Sequence, residues 1–81
     1  MKSYSFMGSS SNCSKEEAIE LIRTTDKGFL YTYGLGYRNP TTHRVPITRE
    51  KAIEYAQFSL VDIKEEENFI HINRFSGNDL W

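Results

Sequence analysis

The feature that most constrains the fold is the stretch Gly28–Pro46, where side chains alternate along an aromatic run. The odd positions are Phe29, Tyr31, Tyr33, Leu35 and Tyr37, and the even ones are Leu30, Thr32, Gly34, Gly36 and Arg38. Because successive strand side chains point to opposite faces, this period of two predicts one long strand with an aromatic face and a glycine-marked face. A helix would scatter the rings around its circumference.

A turn is predicted after this strand at Asn39–Thr42, which contains Pro40. Proline fixes its own φ and disfavours a helical conformation of the preceding residue. The return strand is then His43–Ile47. Since Pro46 cannot donate a ladder hydrogen bond, it favours a strand end or an edge position.

Two helix starts stand on either side of this hairpin. Ser14 and Glu17 have the spacing of a capping box, which predicts a helix beginning at Lys15. Thr48 is placed to cap a second helix from Arg49 to about Gln57. Both segments carry an apolar stripe at helical spacing, formed by Ala18, Ile19, Leu21 and Ile22 in the first and by Ala52, Ile53 and Ala56 in the second.

A second strand pair, residues 60–64 and 68–75, is predicted around the acidic turn Glu65–Glu67. The later strand has apolar groups on both faces, which indicates a central position. Residues 1–13 are either flexible or contain a short edge strand. The whole chain is predicted to be one α+β domain, residues 1–81, with the order αββαββ and two layers: a four-stranded antiparallel sheet with two helices on one face.

The two helical segments also resemble each other. At an offset of 34 residues the pattern [ST]-[KR]-E-x-A-I-E occurs twice, first at Ser14 and again at Thr48. Either the chain contains a true α-β-β repeat, or both segments have converged on favourable helix-start chemistry. The sequence leaves both explanations open.

Composition indicates a small globular domain. Ten basic and eleven acidic residues give a net charge of −1, which lacks the strongly basic character of a duplex-binding domain. Cys13 is the only cysteine, so no intrachain disulfide can form, and a reducing compartment is the simplest inference. With no apolar run of about 18 residues we expect no membrane span, and we predict a cytoplasmic protein.

Few residues are candidates for catalysis or metal binding. His43, His71 and Cys13 lack motif spacing, and a perturbed thiol before the first helix is a minor alternative. The acids from Asp62 to Glu67 lack the spaced ligands and glycine of a calcium loop. We predict no catalytic, metal-binding or cofactor-binding residues and no cofactor.

Protein binding is the favoured function. Tyrosine, tryptophan and arginine are enriched in binding hot spots, and we expect those present to exceed what a core this small encloses. The predicted partner-binding residues are Tyr31, Tyr33, Tyr37, Arg38, Arg44 and Trp81. An uncovered face or edge strand would accept a partner strand or a second copy, so a homodimer through an edge strand is one predicted arrangement.

Single-stranded nucleic-acid binding is the main alternative. Residues Lys27–Tyr33 partly match the strand signature of RNA-recognition domains, in which aromatic rings on an exposed sheet face stack on bases. The match fails at Leu30, Thr32 and Gly34. If the rings face the helices, they form the core instead, and a purely structural role for the chain is a third alternative.

Four segments carry a resemblance to a known class of proteins: the run YTYG, the turn RNPTT, the helix start PITREKA and the terminal HINRFSGNDLW. Over Gly28–Trp81 the chain resembles small uncharacterised accessory proteins of bacterial phages and conjugative elements. This resemblance implies a bacterial, non-enzymatic inhibitor or adaptor that binds a host or defence protein. It assigns no functional residue.

Overall fold

A computed structural model describes residues 1–8, 11–33 and 43–75, which form two helices and a mixed five-stranded sheet. The elements are β1 (Ser3–Ser5), α1 (Lys15–Thr24), β2 (Gly28–Tyr33), β3 (His43–Ile47), α2 (Arg49–Ala56), β4 (Val61–Glu65) and β5 (Phe69–Arg74). The α+β class is confirmed. The predicted Asn39–Thr42 turn and strand positions 34–37 lie outside the described residues.

Both helices begin where the capping residues predict. The Ser14 hydroxyl accepts a hydrogen bond from the Glu17 backbone N–H at 3.2 Å, and the Glu17 carboxylate accepts one from the Ser14 N–H at 3.5 Å. The Thr48 hydroxyl accepts from the Lys51 N–H at 3.3 Å, with a lysine where the reciprocal glutamate would stand. Each helix is therefore specified locally, and α1 has the more complete cap.

The two helices lie antiparallel and are tied together at both ends. Lys15 Nζ, at the start of α1, donates to the Gln57 and Phe58 carbonyls after α2, at 3.3 Å and 2.6 Å. The Arg49 guanidinium, at the start of α2, donates to the Thr25 carbonyl after α1. In both cases a cation satisfies carbonyl groups beyond the last helical turn, where the helix dipole is negative.

The sheet differs from the predicted four antiparallel strands. Its order is β1-β4-β5-β2-β3, with β1 added as a fifth strand at the β4 edge. β2 pairs with β5 in parallel, whereas the other three pairs are antiparallel. The central position predicted for the last strand is confirmed, because β5 is the middle strand.

The α2 crossover explains why the all-antiparallel prediction is wrong. A helix that follows a strand carries the chain back, so the next strand runs in the direction of the first. β3 and β4 therefore point the same way, and their hairpin partners β2 and β5 must both point the other way. When these partners meet at the centre of the sheet, they can only pair in parallel.

The same strand directions bear on the repeat. Two halves related by a two-fold axis through the sheet would bring equivalent strands together, as antiparallel neighbours. Here β2, the first strand of one hairpin, lies beside β5, the second strand of the other. The sheet does not arrange the two halves as symmetric copies.

One face of the sheet carries the core. Its buried residues come from alternate strand positions and from the inner sides of both helices, and they form a single cluster: Ala18, Ile22, Phe29, Tyr31, Ala52, Ala56, Val61, Ile63, Ile70 and Ile72. The register aligns Phe29 with Ile70 and Tyr31 with Ile72 across the parallel pair. Both helices therefore pack on this face, which we call the helix face.

The opposite face, the helix-free face, carries a polar row that crosses all five strands in register. The row is Ser5, Asp62, Asn73, Thr32 and Arg44. Near one end of this face the ring of Phe69 lies against Gly28, where a Cβ atom would come within 3.0 Å of it. Glycine at position 28 leaves room for a ring that is itself 41% exposed.

Candidate functional site

The candidate site is the outer edge of the sheet at Arg44, Val45 and Pro46, which we call the β3 edge. Among the described strands, β3 pairs with β2 alone and ends the sheet on that side. The position predicted from Pro46 is therefore confirmed. All three residues are exposed to solvent, with Val45 at 38%.

The direction of the β3 backbone groups follows from the register. In an antiparallel pair, the backbone N–H and C=O of a residue either both bond to the residue directly opposite on the neighbouring strand or both point away from that strand. Pro46 stands opposite Leu30 and has no N–H, so it belongs to the second kind, as does Arg44 two residues earlier. The β3 edge thus presents the Arg44 N–H and the carbonyls of Arg44 and Pro46.

The other edge of the sheet, β1, is closed by the chain itself. Its outward groups belong to Ser3 and Ser5. Asn12 accepts from the Ser3 N–H through its side chain and donates to the Ser3 carbonyl from its backbone, both at 2.9 Å. The Ser11 hydroxyl accepts from the Ser5 N–H at 2.6 Å and donates to the Ser5 carbonyl at 3.2 Å. Segment 11–13 therefore acts as a cap on β1.

The predicted partner-binding residues fall in different places. Tyr31 is 8% exposed and stacks on Tyr55 of α2 with ring centroids 4.3 Å apart, so it forms part of the core. Tyr33 is the last residue of β2, opposite His43. Arg44 is exposed on the β3 edge. Tyr37, Arg38 and Trp81 lie outside the described residues.

The ring positions bear on the nucleic-acid alternative. Phe29 and Tyr31 are buried beneath the helices and cannot stack on bases in this fold. The exposed ring on the helix-free face of the described strands belongs to Phe69, on β5. Single-stranded nucleic-acid binding stays a prediction, without support from these two rings.

The residues considered for catalysis have structural surroundings. The Cys13 thiol donates to the Ser3 carbonyl at 3.4 Å, and burial together with Glu17 raises its pKa, which favours the less reactive protonated form. His71 is half-buried on β5, between Leu30 and Lys64. No cluster of metal-binding side chains occurs within the described ranges.

Acids of the 62–67 segment make contacts that hold the sheet together. The Asp62 carboxylate accepts from the Phe6 N–H at 3.1 Å. The Glu65 carboxylate accepts from the Lys2 N–H at 2.9 Å and pairs with Lys27 Nζ at 3.1 Å. These hydrogen bonds, that of Lys2 first, lower the pKa of Glu65.

Sequence reasoning missed the cap on β1, because residues 1–13 were predicted to be flexible or to contain a short edge strand, with no contact assigned to Ser11 or Asn12. The available signal was the chemistry of Ser11 and Asn12. Serine and asparagine side chains bind nearby backbone groups in place of another strand. Their use here depends on Ser3 and Ser5 lying six to nine residues earlier in an edge strand.

Comparisons with models of known protein families, with curated proteins and with solved structures give no match. The resemblance over Gly28–Trp81 to accessory proteins of phages and conjugative elements therefore stays a prediction.

Proposed function

We propose that this chain is a small, non-enzymatic protein-interaction module that binds an extended segment of a partner protein as an added strand beside β3. Strand addition uses the main-chain groups of an exposed sheet edge for affinity and the neighbouring side chains for specificity. The predicted binding residue Arg44 is part of this edge.

The observation that carries the proposal is that the outward backbone groups are hydrogen-bonded at one sheet edge and not at the other, among the described residues. All four outward N–H and C=O groups of Ser3 and Ser5 on β1 have partners among Gly8 and residues 11–13. On β3, no described residue outside the strand pairing binds the backbone of Arg44 or Pro46. An open edge is a template for pairing with another chain.

Pro46 limits what the edge can accept. It removes one outward donor, so an added strand gains hydrogen bonds at the Arg44 N–H and at two carbonyls. Such a short pairing disfavours the long, unspecific edge-to-edge association that leads to aggregation. Specificity must then come from the side chains at Arg44 and Val45.

The resemblance to accessory proteins of phages and conjugative elements suggests the kind of partner and the role of the chain. The partner would be a bacterial host or defence protein in the cytoplasm, and the chain would act as its inhibitor or adaptor. The β3 edge lies within Gly28–Trp81, the part of the chain that carries this resemblance.

The test measures whether peptides bind through the backbone of β3. Phage-displayed random peptides of about nine residues, long enough for one strand, are selected on the immobilised chain. A selected peptide is titrated against wild type, Arg44→Ala and Arg44→Pro. Both variants lack the guanidinium, but only the proline variant also lacks the outward N–H. We expect Arg44→Pro to bind about tenfold more weakly than Arg44→Ala, equivalent to about 1.4 kcal/mol.

Amide hydrogen exchange supplies a second measurement. The bound peptide should protect the Arg44 N–H and leave the amides of Ser3 and Ser5 unchanged. Because the Arg44 N–H points away from β2, the proline should spare the β2–β3 hydrogen bonds, and circular dichroism checks that the variant is folded. Equal affinities of the alanine and proline variants, or an unprotected Arg44 amide, would contradict strand addition at this edge.

A further inference from the structure

Arg44 differs from most of the described basic residues because its side chain has no partner within residues 1–8, 11–33 and 43–75. Seven of the described basic residues form ion pairs, bind carbonyls or stack on a ring: Arg23 with Glu20, Lys27 with Glu65, Lys51 with Glu54, Lys64 with Glu66, Lys15 and Arg49 with carbonyls, and Arg74 over Phe58. Among the described residues, none forms an ion pair or hydrogen bond with the Arg44 side chain.

The surroundings of Arg44 offer little compensation for its charge. Its cross-strand neighbour is Thr32, and the next residue in the polar row is Asn73, both neutral. Asp62 is the acid of that row, and it lies three strands away from β3, at about 14 Å for strands spaced about 4.8 Å apart. A guanidinium placed this way is available to a carboxylate from outside the described fold.

Val45 adds an apolar contact on the opposite face of the same edge. It stands beside Tyr31 in the register and remains 38% exposed at the margin of the helix face. An added strand would place the residue opposite Arg44 on the helix-free face and an adjacent residue on the helix face, against Val45. The two positions therefore favour different side chains.

We infer that the segment bound at the β3 edge is an acidic extended peptide, with a carboxylate opposite Arg44 and an adjacent apolar residue against Val45. This inference rests on the proposed strand addition and names the chemistry of its partner. Opposite charges across neighbouring strands attract, and like charges at the same place repel. The preference should reverse when the charge at position 44 is reversed.

The test repeats the peptide selection on wild type, Arg44→Glu and Arg23→Glu, with random phage-displayed peptides as the probe. Arg23→Glu makes the same change in net charge at an exposed site on α1 and serves as the matched control. Wild type and Arg23→Glu should both enrich an acid next to an apolar residue, whereas Arg44→Glu should enrich a base. An acidic peptide selected on wild type should bind Arg44→Glu at least about tenfold more weakly.

The possible results separate the inference from the proposed function. Peptides that protect the Arg44 amide but show no acidic preference, or the same preference on Arg44→Glu, would overturn the inference and leave strand addition intact. Peptides that bind without protecting that amide, or no enrichment at all, would overturn both. An acidic preference lost equally in Arg23→Glu would show attraction to net charge and would also overturn the inference.

Discussion

The two edge strands of the sheet, β1 and β3, differ in how their outward backbone groups are satisfied. At β1, the side chains of Ser11 and Asn12 and the backbone N–H groups of Gly8, Asn12 and Cys13 bind every outward group of Ser3 and Ser5. At β3, protection consists of a missing donor at Pro46 and a charge at Arg44. Of the two edges formed by described strands, one is therefore closed by hydrogen bonds, and the proposed strand addition concerns the other.

The polar row on the helix-free face shows the same asymmetry. Its two buried members are Ser5, 7% exposed, and Thr32, 5% exposed. The Ser5 hydroxyl accepts from the Met7 N–H at 3.3 Å. The Thr32 hydroxyl, next to β3, has no hydrogen-bond partner in the described part of the chain. The buried hydroxyl on the β1 side is therefore hydrogen-bonded, whereas the one beside β3 has no partner among the described residues.

The largest expected effect comes from opening the β1 edge. Ser11→Ala with Asn12→Ala removes four side-chain hydrogen bonds to the backbone of β1 and Met1. At about 0.5–1.5 kcal/mol each, we expect a loss of about 2–6 kcal/mol in the free energy of unfolding, measured with urea. The matched pair Ser59→Ala with Asn68→Ala changes the same residue types at exposed positions and should stay within about 0.5 kcal/mol.

Removing these hydrogen bonds should also leave β1 with unpaired outward backbone groups, as at β3. In the Ser11→Ala, Asn12→Ala variant, the Ser3 and Ser5 amides should exchange with solvent faster, and sedimentation should show self-association that increases with concentration. If the variant stays monomeric and its amides at positions 3 and 5 still exchange slowly with solvent, segment 11–13 does not protect this edge from pairing with another chain.

A smaller effect is expected at Glu65, which links the start of β1 to the rest of the sheet. Since its folded pKa is lowered below the ordinary value of 4.5, its charge adds stability above about pH 4.5, and this is lost as the pH falls through the folded pKa. Glu65→Gln should cost about 1.5–3 kcal/mol at pH 7, the range for hydrogen bonds to charged groups. At pH 3 its difference from wild type should be smaller.

Urea unfolding at the two pH values measures this difference. Glu67→Gln, at an exposed position in the same turn, is the control and should change stability little at either pH. A Glu65→Gln deficit that is the same at pH 3 and pH 7 would assign the effect to packing or hydrogen-bond geometry and not to charge.

The smallest expected effect concerns Thr32, and it has the opposite sign. Thr32→Val removes a buried hydroxyl without a described partner and keeps the shape of the side chain. We expect stabilisation by about 1 kcal/mol, because the cost of burying an unpaired polar group disappears. Ser5→Ala on the β1 side should destabilise instead, since that hydroxyl is hydrogen-bonded. Thermal unfolding of both variants gives the comparison, and destabilisation by Thr32→Val would show that the hydroxyl has a partner.

Local chemistry made the elements predictable from the sequence. Ser14 and Thr48 set the helix starts at Lys15 and Arg49, and the structure places both helices there. Alternation predicted β2 from Gly28, and Pro46 predicted an edge position for β3. These signals act within a few residues, so they do not depend on the rest of the fold.

The sheet order was not predictable in the same way, because it depends on which hairpins meet. The prediction treated each hairpin as a unit and assumed antiparallel pairing throughout. The direction of β4 is set by the return of the chain through α2, and this information was present in the order β3, α2, β4. For the site, Arg44 was among the predicted residues, whereas the cap at Ser11 and Asn12 required knowing that β1 ends the sheet.

The parallel pair at the centre of the sheet has a consequence for how the chain can fold. β2 and β5 align Gly28 with Phe69, and β1 pairs with β4 through Ser3 and Lys64. While the chain is being synthesised, the first half can form only α1 and the β2–β3 hairpin. β4, which pairs with β1, and β5, which pairs with β2 on its other side, have not yet been made. Such long-range pairings slow folding and expose strand edges during it. The first half should therefore remain incompletely folded until β5 has left the ribosome.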